Sequence, residues 1–349
     1  LLNGDVESKV MVKVVRRGVA EPILFTLKRD NILNSAITAA YRIGDVGYIA
    51  ISNFSRPLGA EFYKAINSLG DIRSIVIDLR DNGGGALTSA IDLSSLFLNK
   101  GDVIVTTEGR NKKVTHYKRR DDKPFDLPLV VLVNENSASA SELFTGAMQD
   151  HDRGIIVGRT TYGKGLVQRM IKLQDGSGVS ITIARYKTPS GRIIQRPYEM
   201  GKSGEYMADS TRYLHPDSIS FKDRPIYTTL NKGRKVYGGG GITPDVYIPA
   251  QEFQLSESVR KAFSDAIFDH TIIELWDIMD IEALGKQYPT YEAFDAEYAL
   301  DDVVLDVFYR RAGFGEEDIT PTDREYIEVR LKAYIAELLY GYNGRHYIY

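Results

Sequence analysis

The 349-residue chain contains no cysteine, which excludes a thiol nucleophile, cysteine-ligated zinc and any disulfide framework. Histidine is scarce: His116, His151, His215, His270 and His346 are the five in the chain. No run of about 18 apolar residues occurs, so no segment is expected to span a bilayer. The opening LLNGDVESK has neither a basic n-region nor an apolar h-region, which predicts a mature, truncated or cytoplasmic chain. Charge of one sign is lacking too. The 44 Lys and Arg against 47 Asp and Glu leave a formal charge of −3, so no global field favours nucleic acid or an anionic membrane as partner.

What is present is an ordinary globular composition, 43% hydrophobic and 26% charged, long enough for two or three domains. KVMVKVVR at 9–16 and PILFTLKR at 22–29 are β-favouring runs joined through Arg17 and Gly18, and predict a hairpin. From 47 to 133, strand-like runs (GYIAISNF, SIVIDLR, DVIVTT, PLVVLVN) alternate with helical patterns around 57–69 and 86–98. That alternation predicts a layered α/β domain with partly parallel, buried strands. Further strands are expected at 154–158, 166–173 and 178–186, the last two joined by the turn QDGSG. Residues 199–235 are polar and poorly patterned. Beyond GGGGITPDVYIP, residues 256–340 show helical periodicity with breaks near Pro289, Gly313 and Pro321, the pattern of a separate helical domain.

Three segments carry chemistry: DLRDNGGG at 78–85, NENSASASE at 134–142 and TYGKGLVQ at 161–168. Each sits at the end of a predicted strand, where loops of α/β folds converge and a following helix offers free N–H groups. The small residues from Ser137 to Ser141 let another backbone approach closely. A serine there is inert at neutral pH unless a neighbour takes its proton. His151 is a poor base, because it lies about 18 Å farther along the same predicted helix at 1.5 Å per residue. Lys164 is better placed. Gly163 and Gly165 open the backbone of its turn, and burial beside apolar walls can favour a neutral amine. Gln168, by strand alternation, is expected on the same face as Lys164, where its amide could orient the amine. Oxyanion donors are expected from the N–H of Ala140 and from the flexible run Gly83, Gly84, Gly85.

Taken in order, DLRDNGGG, NENSASASE, GRTTYGKGLVQ, DGSGVSITIARYKTPSGRII and GGGGITPDV resemble the C-terminal processing peptidases, also called tail-specific proteases, serine peptidases of the S41 type. The resemblance covers roughly residues 35–250. It implies Ser139 as nucleophile, Lys164 as general base and Gln168 as the supporting glutamine. It also implies Gly85 and Ala140 as oxyanion donors, with Gly84 the second choice. Gly84, Gly163 and Gly165 are expected beside the substrate. A crotonase-like layered α/β protease core is implied, with no cofactor and no metal. Residues 1–32 resemble the last strands of a PDZ module, 33–250 the peptidase core, and 251–349 form the helical region. The implied partners are polypeptides with unstructured C-termini, and the implied location is the periplasm or cell envelope.

Each of these residues also has a plainer reading. Alone, SASAS is a flexible helix start and its serine a cap. Ser137 is then the capping residue, and Ser141 lies one turn too deep. Lys164 alone is a solvated charge and Gln168 an ordinary strand residue. Gly158 with Gly163 and Lys164 satisfies part of a P-loop, yet Gly165 stands where the magnesium-binding hydroxyl belongs. Asp150, His151 and Asp152 point in different directions from a helix and do not suit a metal. Glu142 is expected to complement the helix dipole or anchor the loop. Asp78 and Arg80 are expected to fix the glycine turn. Aromatic residues around Trp276, Tyr288, Tyr291, Phe308 and Tyr334–Tyr349 predict packing, with a homo-oligomer interface as the alternative. Two rival functions remain, a non-catalytic binding or scaffold protein on the same fold and a small-molecule esterase or amidase.

Overall fold

The computed structural model describes residues 2–16, 19–30, 35–120, 124–198, 204, 224–250 and 254–349. It divides into two compact units: residues 36–251, and residues 1–35 together with 252–349.

The first unit is a mixed α/β structure built on a six-stranded sheet. Its strands are β3 (Ile37–Ile43), β4 (Val46–Ile51), β5 (Ser74–Asp78), β8 (Leu129–Val133), β9 (Gly154–Gly158) and β14 (Val246–Tyr247). The order across the sheet is β14-β9-β8-β5-β4-β3. All neighbours are parallel except β3 with β4. The β-branched runs SIVID, LVVLV and GIIVG supply buried centres such as Ile77, Val131 and Ile156, as strands covered on both faces require. Helices α1 (Leu58–Ser68), α2 (Leu87–Ser95) and α3 (Ala140–Asp150) follow β4, β5 and β8. In α1 the apolar stripe Leu58, Phe62, Ile66 is the buried one, at the spacing of one helix face. Every residue of α3 is buried.

The run DVIVTT departs from expectation. As β6 (Val103–Gly109) it leaves the parallel layer for a second, wholly antiparallel sheet ordered β10-β11-β6-β7. This sheet also contains β7 (Val114–Lys118), β10 (Leu166–Lys172) and β11 (Gly178–Lys187). The physical reason is local, since β6 is followed at once by the turn of a hairpin rather than by a crossover helix, and a tight hairpin can only give antiparallel pairing. In the stretch 199–235, the residues 199–203 and 205–223 lie outside those described. Near its end, β12 (Ile226–Thr228) pairs with β13 (Lys235–Tyr237).

In the second unit, β1 (Lys9–Val14) and β2 (Ile23–Lys28) pair antiparallel, the hairpin read from the sequence, with Arg17 and Gly18 outside the described residues. The helices are α4 (Glu257–Ser264), α5 (Ile267–Ile278), α6 (Ile281–Gln287), α7 (Tyr291–Glu297), α8 (Asp302–Ala312), α9 (Pro321–Tyr340) and α10 (Tyr342–Ile348). Ser256, Asp280, Thr290, Asp301 and Thr320 cap five of them by accepting an amide three residues on. Gly313 ends α8 in the left-handed region at φ 74°, and Pro321 opens α9, as its fixed φ and missing N–H favour. Phe268, Phe294 and Phe308 are fully buried in one apolar cluster with Tyr288 and Tyr298. Trp276 stays 55% exposed.

Candidate active site

Strands β5, β8 and β9 are neighbours, and their carboxyl ends release the three marked segments on one edge of the sheet. The glycine turn follows Asp78, the serine segment follows Val133, and the lysine turn follows Gly158. Parallel pairing forces this convergence, because parallel strands end together.

The glycine turn is welded to the serine segment through Asn82. Its Nδ2 donates to the carbonyl of Ile51 at 2.7 Å and its Oδ1 accepts the N–H of Gly84 at 2.9 Å. Its carbonyl accepts the N–H of Ala138 at 3.0 Å and the hydroxyl of Ser141 at 2.8 Å. Ser137 donates to the carbonyl of Leu79 at 2.7 Å, so it braces the same turn instead of capping α3. Ser137 and Ser141 are both engaged in this way, whereas Ser139 is the N-cap residue of α3, in a capping box with Glu142. Ser139 has φ 58° and ψ −110°, a region a residue with a Cβ adopts at a cost of roughly 1–3 kcal/mol. Sharp strand-to-helix turns of this kind present a side chain outward at the head of a helix. Gly84 lies against it: a Cβ on Gly84 would fall 2.6 Å from the Ala138 carbonyl and 2.9 Å from both the Ala140 nitrogen and the Ser139 Cβ.

Glu142 joins the serine segment to the lysine turn. Its carboxylate, fully buried, accepts the N–H of Ser139 at 2.8 Å and of Lys164 at 2.9 Å on Oε2. On Oε1 it accepts the N–H of Gly163 at 2.7 Å and the hydroxyl of Thr161 at 2.6 Å. Burial pushes this carboxyl above its usual range, and the donors from Thr161, Lys164, Gly163 and Ser139 pull the other way. Tyr186, 2% exposed, places its hydroxyl 2.9 Å from the carbonyls of both Ser139 and Lys164. Burial first, and then the Glu142 charge, push its phenol well above the usual range, so it remains a donor. The backbones at 139 and 164 therefore share a carboxylate oxygen on one side and a phenol on the other, and cannot be farther apart than two hydrogen bonds.

Lys164 also lines a cavity of about 540 Å³, with Tyr162, Leu166, Gln195, Arg196 and Tyr198 among its walls. Ser139 is not part of that lining. The N–H of Gly165 is held by Gln195 Oε1 at 2.9 Å, and the carbonyl of Gly163 by the N–H of Arg196 at 3.0 Å. The amides of Gly84, Gly163 and Gly165 are thus all engaged by protein side chains. Gly85 pairs as a parallel bridge with Phe54, and Ala140 is the first residue of α3. Gln168 lies exposed on β10, and among the described residues no hydrogen bond joins its side chain to Lys164.

The other marked residues have structural partners. His151 Nε2 lies 2.7 Å from the Val103 carbonyl. Asp150 pairs with the fully buried Arg192 at 2.6 Å, and Asp152 with Arg234 at 2.6 Å. Among the described residues no group of acidic or histidine side chains could hold a metal. Asp78 accepts Arg80 Nη2 at 2.6 Å and the Tyr48 hydroxyl at 2.5 Å, fixing the start of the glycine turn. Sequence reasoning gave Glu142 only a supporting role and passed over Asn82, Tyr186 and Gln195. A buried acid among small residues, SASASE, was the available signal for the first.

Residues 45–199 match the sequence profile described as Peptidase family S41. That region is similar in sequence to peptidase family S41. A carboxyl-terminal-processing protease of Synechocystis is 36% identical over 201 residues, covering 56% of this chain and 47% of the relative. The carboxy-terminal processing protease CtpA of Bacillus subtilis is 34% identical over 198 residues, covering 56% and 42%. The chain thus spans about half the length of the curated relatives it matches. Among solved structures, a photosystem II D1 C-terminal processing protease is similar at a TM-score of 0.44 and 26% identity, covering 70% of this chain and 57% of that one. The S41 match spans all three loops on the sheet edge, from the glycine turn to the cavity wall at Tyr198.

Proposed function

We propose that the chain is a serine endopeptidase that cleaves extended or unfolded polypeptides, near their C-termini, through an acyl-enzyme. Ser139 attacks the scissile carbonyl while Lys164 takes its proton. Lys164 then returns the proton to the leaving amine, and water releases the acyl group. The N–H groups of Gly85 and Ala140 hold the oxyanion. Gly84 is the weaker candidate for that role because Asn82 already accepts its N–H. Gln168 keeps its proposed supporting role, acting only when substrate is bound, since nothing in the free site draws it to Lys164. Glycines 84, 163 and 165 shape the approach of the substrate backbone. The observation that carries the reading is the double tie of Ser139 and Lys164 through Glu142 and Tyr186, within an S41 region.

In the same reading the core is crotonase-like and spans 33–250, residues 1–32 are the end of a PDZ-like module, and 251–349 are a helical domain capable of self-association. Substrate lies extended along β10, the outer strand of its sheet, where main-chain pairing tolerates varied sequences. No described helix is long and apolar enough to cross a membrane; a periplasmic or envelope location is inferred from the family resemblance. The deciding experiment is cleavage of an unfolded protein substrate by purified wild type, Ser139→Ala and Lys164→Ala. Loss in both variants with an unchanged circular dichroism spectrum is expected, and unchanged cleavage by Ser139→Ala would reject the nucleophile.

A further inference from the structure

Beside the candidate site the charge balance of the protein is locally inverted. The whole chain carries −3, yet the cavity at Lys164 is also lined by Arg185 and Arg196, and by no acidic residue among those described. A second cavity of about 540 Å³ shares Arg185 and Ile193 with the first and adds Arg110, Lys112 and Lys187 against the single acid Glu108. Arg185 sits on β11 opposite Leu166 of β10 on one side and Glu108 of β6 on the other, so the two cavities flank one strand. Glu108 is itself paired to Lys187 at 2.9 Å. Its carboxyl is held below the usual range by Lys187 first, with Lys112 and Arg185 also contributing. The excess of positive charge therefore rests on Arg185 and on the tip of the β6–β7 hairpin.

That tip is the sequence GRNKK at 109–113, a basic run that the proposed chemistry does not use. Its geometry is fixed: the N–H of Lys112 donates to the Gly109 carbonyl at 2.9 Å and that of Gly109 to the Lys113 carbonyl at 3.0 Å. Lys112 takes φ 55°. The backbone of this closed turn carries Arg110 and Lys112, both of which line the second cavity.

We propose that this second cavity is a substrate subsite for a carboxylate, so that the peptidase prefers chains carrying an acidic group a few residues from the scissile bond. The proposal rests on the proteolytic reading of the same site. The acid belongs in the second cavity and not the first for a chemical reason: a carboxylate seated beside Lys164 would favour its ammonium form and oppose its action as base. Across β11 the attraction remains and that conflict does not. The carboxylate is either an Asp or Glu side chain or the α-carboxylate of a chain end; both present the same two oxygens to a guanidinium.

The test uses C-terminally amidated fluorogenic peptides that differ only by a Glu-Glu pair or a Gln-Gln pair, and a Gln-Gln peptide with a free C-terminal carboxylate. At low salt the wild-type chain should cleave the Glu peptide with a kcat/KM about tenfold higher, through KM, and the ratio should shrink in 0.5 M salt as screening shortens to about 4 Å. Arg110→Gln/Lys112→Gln should bring the ratio near one. A free-carboxylate peptide that matches the Glu peptide names the chain end as the natural source, and one that behaves as the neutral peptide names the side chain. Equal cleavage of Glu and Gln peptides, or a ratio that survives Arg110→Gln/Lys112→Gln, overturns the subsite. Fluorescence anisotropy of the same peptides on Ser139→Ala reads the preference without turnover. Selective binding with no cleavage by wild type would keep the acid subsite and sink the peptidase.

Discussion

The two units of this chain are held in place by opposite means. In the helical region five of the described helices carry their own punctuation, a Ser, Thr or Asp cap at the start, with Gly313 or Pro321 at a break, and apolar rings fill the space between. In the α/β unit the decisive bonds run from side chains to backbone groups far away in sequence, Asn82 to Ile51, Ser137 to Leu79, Glu142 to Gly163 and Lys164. Local caps stabilise an element; distant side-chain-to-backbone bonds fix loops relative to one another, which is what a site assembled from three loops requires.

That contrast breaks most visibly at the residues proposed to react. Ser139→Ala or Lys164→Ala is expected to lower kcat/KM by about four orders of magnitude or more with little change in melting temperature. Next comes Glu142→Gln. An amide of the same shape turns a donor toward amides that are themselves donors, leaving buried groups unpaired at about 1–3 kcal/mol. A fall in kcat of about 100-fold with a modest fall in melting temperature is expected; full activity would show that the carboxylate does not set the geometry. Gly84→Ala follows, because its Cβ would meet backbone at 2.6 Å and its φ is 99°. A loss of about 2–4 kcal/mol by denaturant titration, with impaired turnover, is expected.

The smallest effect tests the other half of the comparison. Asp323, fully buried, accepts the amide of Thr320 in the cap of α9 and, as one long-range tie within the helical region, the amide of Ser256, at 2.9 Å each. Burial acts to raise its carboxyl, and these donors outweigh it and hold it below the usual range. A depressed acid stabilises the fold above its unfolded value, and that stability is lost as pH falls through the folded one. Asp323→Asn should therefore cost about 1 kcal/mol at pH 7, flatten the acid limb of the stability curve, and leave peptide cleavage unchanged. Impaired cleavage would mean the two modes of support are not separate.

The difference also explains what the sequence made legible. Alternating runs, caps and breakers are local, so β4, β5, β8 and β9 of the six-stranded sheet, the β10–β11 hairpin and the breaks at Gly313 and Pro321 could be read directly, whereas β3 and the two-residue β14 were not read as strands. DVIVTT could not be assigned to its sheet, since an apolar run does not state its partner. At the site, the order of the three motifs pointed to the residues brought together on one sheet edge. Asn82 and Tyr186 gave no sign, because a single polar or aromatic residue becomes a tie only when a distant carbonyl or amide is folded against it. Gln168 shows the limit of alternation: Lys164 precedes β10 and the pairing register shifts between Val167 and Gln168, so counting in twos does not carry a face from one residue to the other.

One buried carboxylate spans the head of α3 and the turn after β9. The serine and lysine loops hang from this common peg, and neither can wander without dragging the other's amide. A ligand or neighbouring segment that shifted the first turn of α3 by one ångström would misalign both proposed partners at once. A site working as proposed would respond in steps, fully armed or wholly idle.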